Sequence, residues 1–132
     1  MTVIEAQIPA NPSAPRAART ALEDLRGLIP EGMLENARLL VSELITNCVR
    51  HAGLTEDAFV GLRTDLSVNR LRVEVTDAGP GFDPEPALPS MYRTSGWGLY
   101  LVDQIADRWG VVRGPGIRVW FELDGEATSE TG

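Results

Sequence analysis

Glu43 and Asn47 stand four residues apart, a spacing that in a helix puts both side chains on one face. An acid and an amide there, with His51 one turn further on, could form a polar face over a ligand. Read alone, the same residues also describe an ordinary solvated helix surface. Asp77 ends a run in which Leu71, Val73 and Val75 alternate, and a period of two carries its carboxylate to the face of those apolar side chains. A charge entering the core side without a partner is very costly. Such a carboxylate must find donors, and the exocyclic amine of a ligand would supply them. A turn-making Asp ahead of Gly79 is the competing reading. Gly79 and Gly81 bracket Pro80 and would let backbone lie close to a flat ligand. Gly96 and Gly98 fall immediately before an expected helix N-terminus, where free amides and the helix dipole suit a phosphate. A lone Gly-x-Gly usually marks nothing more than a turn.

The elements that must position these residues follow from periodicity. Residues 2–8 alternate enough for a short strand ending at Pro9, and Asn11 to Pro15 read as a turn and helix start. An Ala/Leu/Arg-rich helix then runs to about Leu28, before Pro30. The next helix, from about Glu31 to His51, repeats apolar residues at Met33, Ala37, Leu40, Val41, Leu44, Cys48 and Ala52, with Gly53 just past its end. Glu43 and Asn47 border that stripe. A hairpin follows, with Ala58 to Leu66 and Leu71 to Val75 alternating on either side of Ser67-Val68-Asn69. Between Asp77 and Gly98 the pattern dissolves into Gly, Pro and Ser, with Pro80, Pro84, Pro86 and Pro89, as expected of a functional lid. A third helix is expected from about Gly98 to Arg108, with Leu101, Val102, Ile105 and Trp109 inward. Closing strands near 109–113 and 117–123 complete the order strand, two helices, hairpin, lid, helix, hairpin. That order predicts a two-layer α/β (α+β) sandwich, with helices on one face of a mixed, mostly antiparallel sheet.

Composition narrows the function. At 132 residues, 43% hydrophobic and 23% charged, the chain suits one domain over residues 1–124, and 125–132 read as a small polar tail expected to be disordered. No apolar run approaches membrane-span length and no secretory signal opens the chain, which together with one cysteine, Cys48, point to a cytoplasmic protein. A net charge of −7 opposes nucleic-acid binding, and a single histidine opposes a clustered His metal site. There is no Gly-Lys-Ser/Thr of a P-loop. Asp77-Ala-Gly-Pro-Gly-Phe82 runs into prolines where a dinucleotide fingerprint would open a helix, and no Ser-His-Asp set is present.

Three ordered blocks resemble a known superfamily. Residues 42–52, Ser-Glu-Leu-Ile-Thr-Asn-Cys-Val-Arg-His-Ala, resemble its N-box; residues 77–82 resemble its first glycine box; residues 95–102, Ser-Gly-Trp-Gly-Leu-Tyr-Leu-Val, resemble its second. This is the GHKL superfamily, with its Bergerat-type ATP-binding fold. Compact size and Ala-Asp-Arg-Trp-Gly at 106–110 resemble the anti-sigma-factor serine/threonine-kinase branch common in actinobacteria.

The resemblance implies ATP and Mg²⁺ as cofactors. It implies that Asn47 coordinates the Mg²⁺ bridging the phosphates and that Glu43 is the general base toward a protein hydroxyl. Asp77 would accept from the adenine amine, with Gly79 and Gly81 against the base. Gly96 and Gly98 would seat the lid on the phosphates, within a second glycine box that also includes Ser95 and Leu99, and Arg93 would reach the γ-phosphate. Implied partners are a sigma factor and an anti-anti-sigma (STAS-type) antagonist, with homodimerisation by analogy. The chain departs from the pattern at Gly116, followed by Ile117 and Arg118 where Lys or Thr is frequent, and at Cys48, where small residues are usual. Other readings are an inactive nucleotide-binding interaction module and the catalytic piece of a sensor kinase. The second lacks a phospho-accepting His on a dimerisation helix.

Overall fold

The computed structural model describes residues 2–51, 58–77, 97–113 and 117–125. Period-two segments become five strands: β1 (Thr2–Pro9), β2 (Phe59–Ser67), β3 (Arg70–Asp77), β4 (Arg108–Arg113) and β5 (Ile117–Asp124). They form one sheet in the order β1-β2-β3-β5-β4. Every described pairing is antiparallel, so the sheet is purely antiparallel where the sequence allowed a mixed one. Among the described residues three α-helices join it: α1 (Ala14–Leu22), α2 (Glu31–His51) and α3 (Trp97–Ile105). Among the described residues no helix is long and apolar enough to cross a membrane.

The helices cover one face. α1 buries Ala14, Ala18 and Leu22, a stripe at every fourth residue, against α2 and β1. Asn11 orders its entry, the Oδ1 accepting from the Ser13 N–H and hydroxyl. α1 stops at Leu22, short of the expected Leu28. A 3₁₀ turn over Glu23–Leu25 follows, then Arg26 turns extended and Gly27 takes φ of 89°, a conformation that suits glycine. α2 has the bounds its periodicity predicts and packs on β3 and β5 through a core that includes Leu40, Val41, Leu44 and Ile45. Facing them are Leu62, Val73, Val75, Val119 and Phe121. Trp109, expected on the third helix, stands instead in β4, opposite Phe121, and its indole N–H donates to Asp103 of α3 at 3.0 Å. α3 ends at Ile105, and the Asp107 carboxylate then accepts from the Asp124 N–H.

Among the described residues the other face carries no helix and is a lattice of charge. In register, Glu5, Arg63 and Glu74 cross β1, β2 and β3, and Asp65, Arg72, Glu122 and Arg108 cross β2, β3, β5 and β4. Signs alternate along both rows, the favourable cross-strand arrangement. Arg72 also lies 4.3 Å from the centre of the Trp120 ring, and Trp120 packs on Gly110, where a Cβ would come within 2.8 Å of the indole nitrogen. The β2–β3 hairpin turns through Val68 and Asn69, with Asn69 at φ of 64°, and the Asn69 carbonyl accepts from the N–H of buried Gly125. Residues 126–132 lie outside the described set.

Candidate functional site

Two of the residues that spacing singled out, Asn47 and Asp77, are buried. Among the described residues three polar side chains are buried with the core: Asn47, Thr64 and Asp77. Asn47 lies on α2 between Leu44 and Cys48 and is 2% exposed, so the helix carries it onto the sheet side. Its Nδ2 has no hydrogen-bond partner among the described residues. Asp77, also 2% exposed, ends β3 on the core face, as its place in the alternation requires. Its neighbours across the sheet are Val60 and Ile117, both aliphatic and buried.

The two elements meet at these residues. The Cys48 thiol is pushed up to about 12, chiefly by burial and further by the negative charge of Asp77. That charge is therefore felt across the α2–β3 packing, one residue from Asn47. A thiol held protonated in this way is a core group and no nucleophile. Glu43, one turn before Asn47, is half-buried at the border of the stripe and makes no ion pair among the described residues. The structure therefore brings Asn47 and Asp77 into one neighbourhood and leaves Glu43 at its rim, open to solvent.

The other expected residues divide by region. α3 begins at Trp97, one residue earlier than the glycine pair suggested, so Gly98 and Leu99 lie in its first turn. Gly79, Gly81, Arg93, Ser95 and Gly96 lie outside the described residues, as does the side chain of His51. Sequence reasoning marked Ile117 and Arg118 only as a departure from the family pattern and did not place them against Asp77. Ile117 opposes it on the core face, while Arg118 points to the outer face, 3.7 Å from Glu74. The signal was present in the alternation of residues 117–123, which separates the aliphatic side chain from the cation next to it.

A cavity of about 430 Å³ lies elsewhere, on the outer sheet face between Glu5, Gln7, Gly61, Arg63, Glu74 and Thr76. Ion pairs satisfy its charges, and it shares no residue with the Asn47–Asp77 neighbourhood. Among the described residues no three His, Cys, Asp or Glu side chains gather as a metal cage. A buried amide with an orphaned atom beside a buried carboxylate suits a different arrangement. The Asn47 amide nitrogen, without a partner among the described residues, can donate to a ligand oxygen.

Comparison with known proteins adds to this geometry. The sequence profile of the family described as histidine kinase-like ATPase domain matches residues 8–122. The serine-protein kinase RsbW of Listeria innocua is 30% identical over 118 residues, covering 79% of this chain and 75% of the relative. The protein of the same name from Staphylococcus aureus is 24% identical over 65% of this chain, which spans 62% of that relative's length. Among solved structures, the RsbU and RsbW domains of Rv1364c from Mycobacterium tuberculosis superpose with a TM-score of 0.73 at 16% identity, over 94% of this chain and 32% of the other. That likeness is one of fold.

Proposed function

The chain belongs to the histidine kinase-like ATPase domain family, and on that footing we propose that it is an ATP-binding regulatory serine/threonine kinase. In this reading it sequesters a sigma factor in the cytoplasm and phosphorylates an anti-anti-sigma antagonist of the STAS type. The observation that carries the reading is the buried pair Asn47 and Asp77, one with an unmet donor and both at the junction of α2 and β3. Proteins rarely bury an amide without a partner, and a phosphate with its cation supplies one. The serine-protein kinases among the relatives support the activity.

Each residue then has a task. Asp77 accepts a hydrogen bond from the exocyclic amine of adenine, and Val60 and Ile117 keep water from its flanks. Asn47 offers Oδ1 to Mg²⁺ and its amide nitrogen to phosphate oxygen. Bound there, Mg²⁺ would neutralise charge on the phosphates. Glu43, at the open rim, accepts the proton of a seryl or threonyl hydroxyl as that oxygen bonds to the γ-phosphorus and the bond to the ADP oxygen breaks. Phosphoryl transfer asks for little beyond positioning and charge neutralisation. Gly79, Gly81, Arg93, Ser95, Gly96, Gly98 and Leu99 complete the proposed pocket. Calorimetric titration with ATP and Mg²⁺ tests the reading. One-to-one binding is expected, weakened about tenfold or more in Asp77→Asn, since hydrogen bonds to charged groups contribute roughly 1.5–3 kcal/mol. Unchanged affinity in the variant would remove adenine recognition from Asp77. Binding without phosphate transfer to any antagonist would leave a nucleotide-dependent interaction module.

A further inference from the structure

The seam between α1 and α2 holds an excess of guanidinium groups that the nucleotide reading does not use. An open cleft of about 310 Å³ there is lined by Arg16, Arg19, Thr20, Glu23 and Arg38. The carboxylate in this cleft is already taken: Arg26 holds both Glu23 oxygens, at 2.7 and 3.1 Å, and Arg38 shares one of them at 3.1 Å. Glu35 reaches Arg38 only at 3.7 Å. Arg19 donates to a neutral acceptor, the Ser42 hydroxyl, at 2.9 Å. Arg16 makes no ion pair among the described residues, and the Nε of Arg38 is buried without an acceptor. A buried donor left unmet costs about 1–3 kcal/mol.

We propose that this cleft is a binding site for a tetrahedral oxyanion of the phosphate class. Three guanidinium groups approach from two helices, so a ligand with oxygens in several directions matches them better than a planar carboxylate. The exposed Thr20 hydroxyl adds a donor on the same wall. Arg38 precedes Glu43 by five residues on α2, about 7.5 Å along the helix axis. An anion here would therefore sit beside the nucleotide neighbourhood without being part of it. Because the chain carries a net charge of −7, its overall field works against an anion, and the affinity expected is millimolar and salt-dependent.

The test titrates inorganic phosphate into the full ¹⁵N-labelled chain with Mg²⁺ and a non-hydrolysable ATP analogue present, following the arginine Nε–H signals. The Arg38 and Arg19 signals should move saturably, with affinity falling about tenfold in Arg16→Gln, read on Arg38, and in Arg38→Gln, read on Arg19. Arg38→Lys, which retains charge, guards against loss of fold and should bind with intermediate affinity, again read on Arg19. Movement matched by chloride at equal ionic strength, or by acetate at equal concentration, overturns the proposal, as does unchanged affinity in the variants. A tighter response to O-phosphoserine than to phosphate identifies the source as a phosphorylated side chain, and equal responses identify free phosphate. The Arg38 signal reads the cleft whether or not nucleotide binds, so the two readings fail separately.

Discussion

The two faces of the sheet treat polar groups in opposite ways. On the outer face charges alternate along the cross-strand rows and meet one another: Arg63 bridges Glu5 and Asp65, Arg72 bridges Glu74 and Glu122, and Arg108 bridges Glu122 and Asp124. On the core face polar side chains are few, and Asn47 and Thr64 each hold an atom with no partner. Satisfaction within the protein is the mark of a structural surface. A buried polar group left unmet asks what else meets it, and the answer differs with place. Thr64 sits mid-strand between Ile4 and Val73. Asn47 lies by the carboxylate that ends β3, whose charge reaches the adjacent Cys48.

If that division is right, changes on one face should alter chemistry and changes on the other should alter stability. The largest effect is expected for Glu43→Ala: phosphate transfer to an antagonist should fall at least about a hundredfold, as for loss of a general base. ATP affinity should hold, and radiolabel transfer beside calorimetry reads both. A variant that transfers phosphate normally would move the base elsewhere. Gly110→Ala probes the other face. Its Cβ would come within 2.8 Å of the Trp120 ring, so the melting temperature should fall by several degrees, for a cost of about 1–3 kcal/mol, with ATP binding intact. A smaller change of opposite sign is expected for Thr64→Val. An apolar group of the same shape removes the orphaned hydroxyl and should raise stability by about 1 kcal/mol in urea unfolding.

The smallest effect is a pH dependence. Hydrogen bonds from Arg108, and then Arg72, hold the Glu122 carboxyl below its ordinary 4.5 against the opposing effect of burial. A carboxyl lowered in the folded state stabilises the fold above its unfolded value and loses that contribution as pH falls through the folded value. Urea midpoints of the parent should therefore drop below pH 4.5, and those of Glu122→Gln should drop less. Parallel profiles would show that the lattice does no electrostatic work at this position.

Much of this was legible in the residues themselves. The stripe of α2 was readable because a helix of this length repeats its apolar residues often enough to define both ends. Asp77 reached the core face because alternation is strict in β3. Local pattern failed where two periods overlap. Leu25 and Leu28 continue the spacing of α1, but the chain tightens into a 3₁₀ turn over Glu23–Leu25 and leaves the helix at Arg26 and Gly27. Trp109 fits the inner face of a third helix and equally the alternation of β4, and pairing with β5 decided it. The orphaned atoms of Asn47 and Thr64, and the crowding of arginines around Glu23, were invisible because a partner's absence is a property of tertiary packing.

The register of the edge strands has a practical consequence. β1 starts at Thr2 opposite Leu66, and β5 finishes at Asp124 opposite Arg70, so both ends of the described chain emerge beside the β2–β3 hairpin. Asp77 is seven residues away along β3, roughly 24 Å at the usual rise of a strand. A chain joined before Thr2 or after Asp124 leaves the sheet at the end opposite Asp77. The fold can thus be wired into a larger assembly at that end while the end that carries Asp77 stays clear.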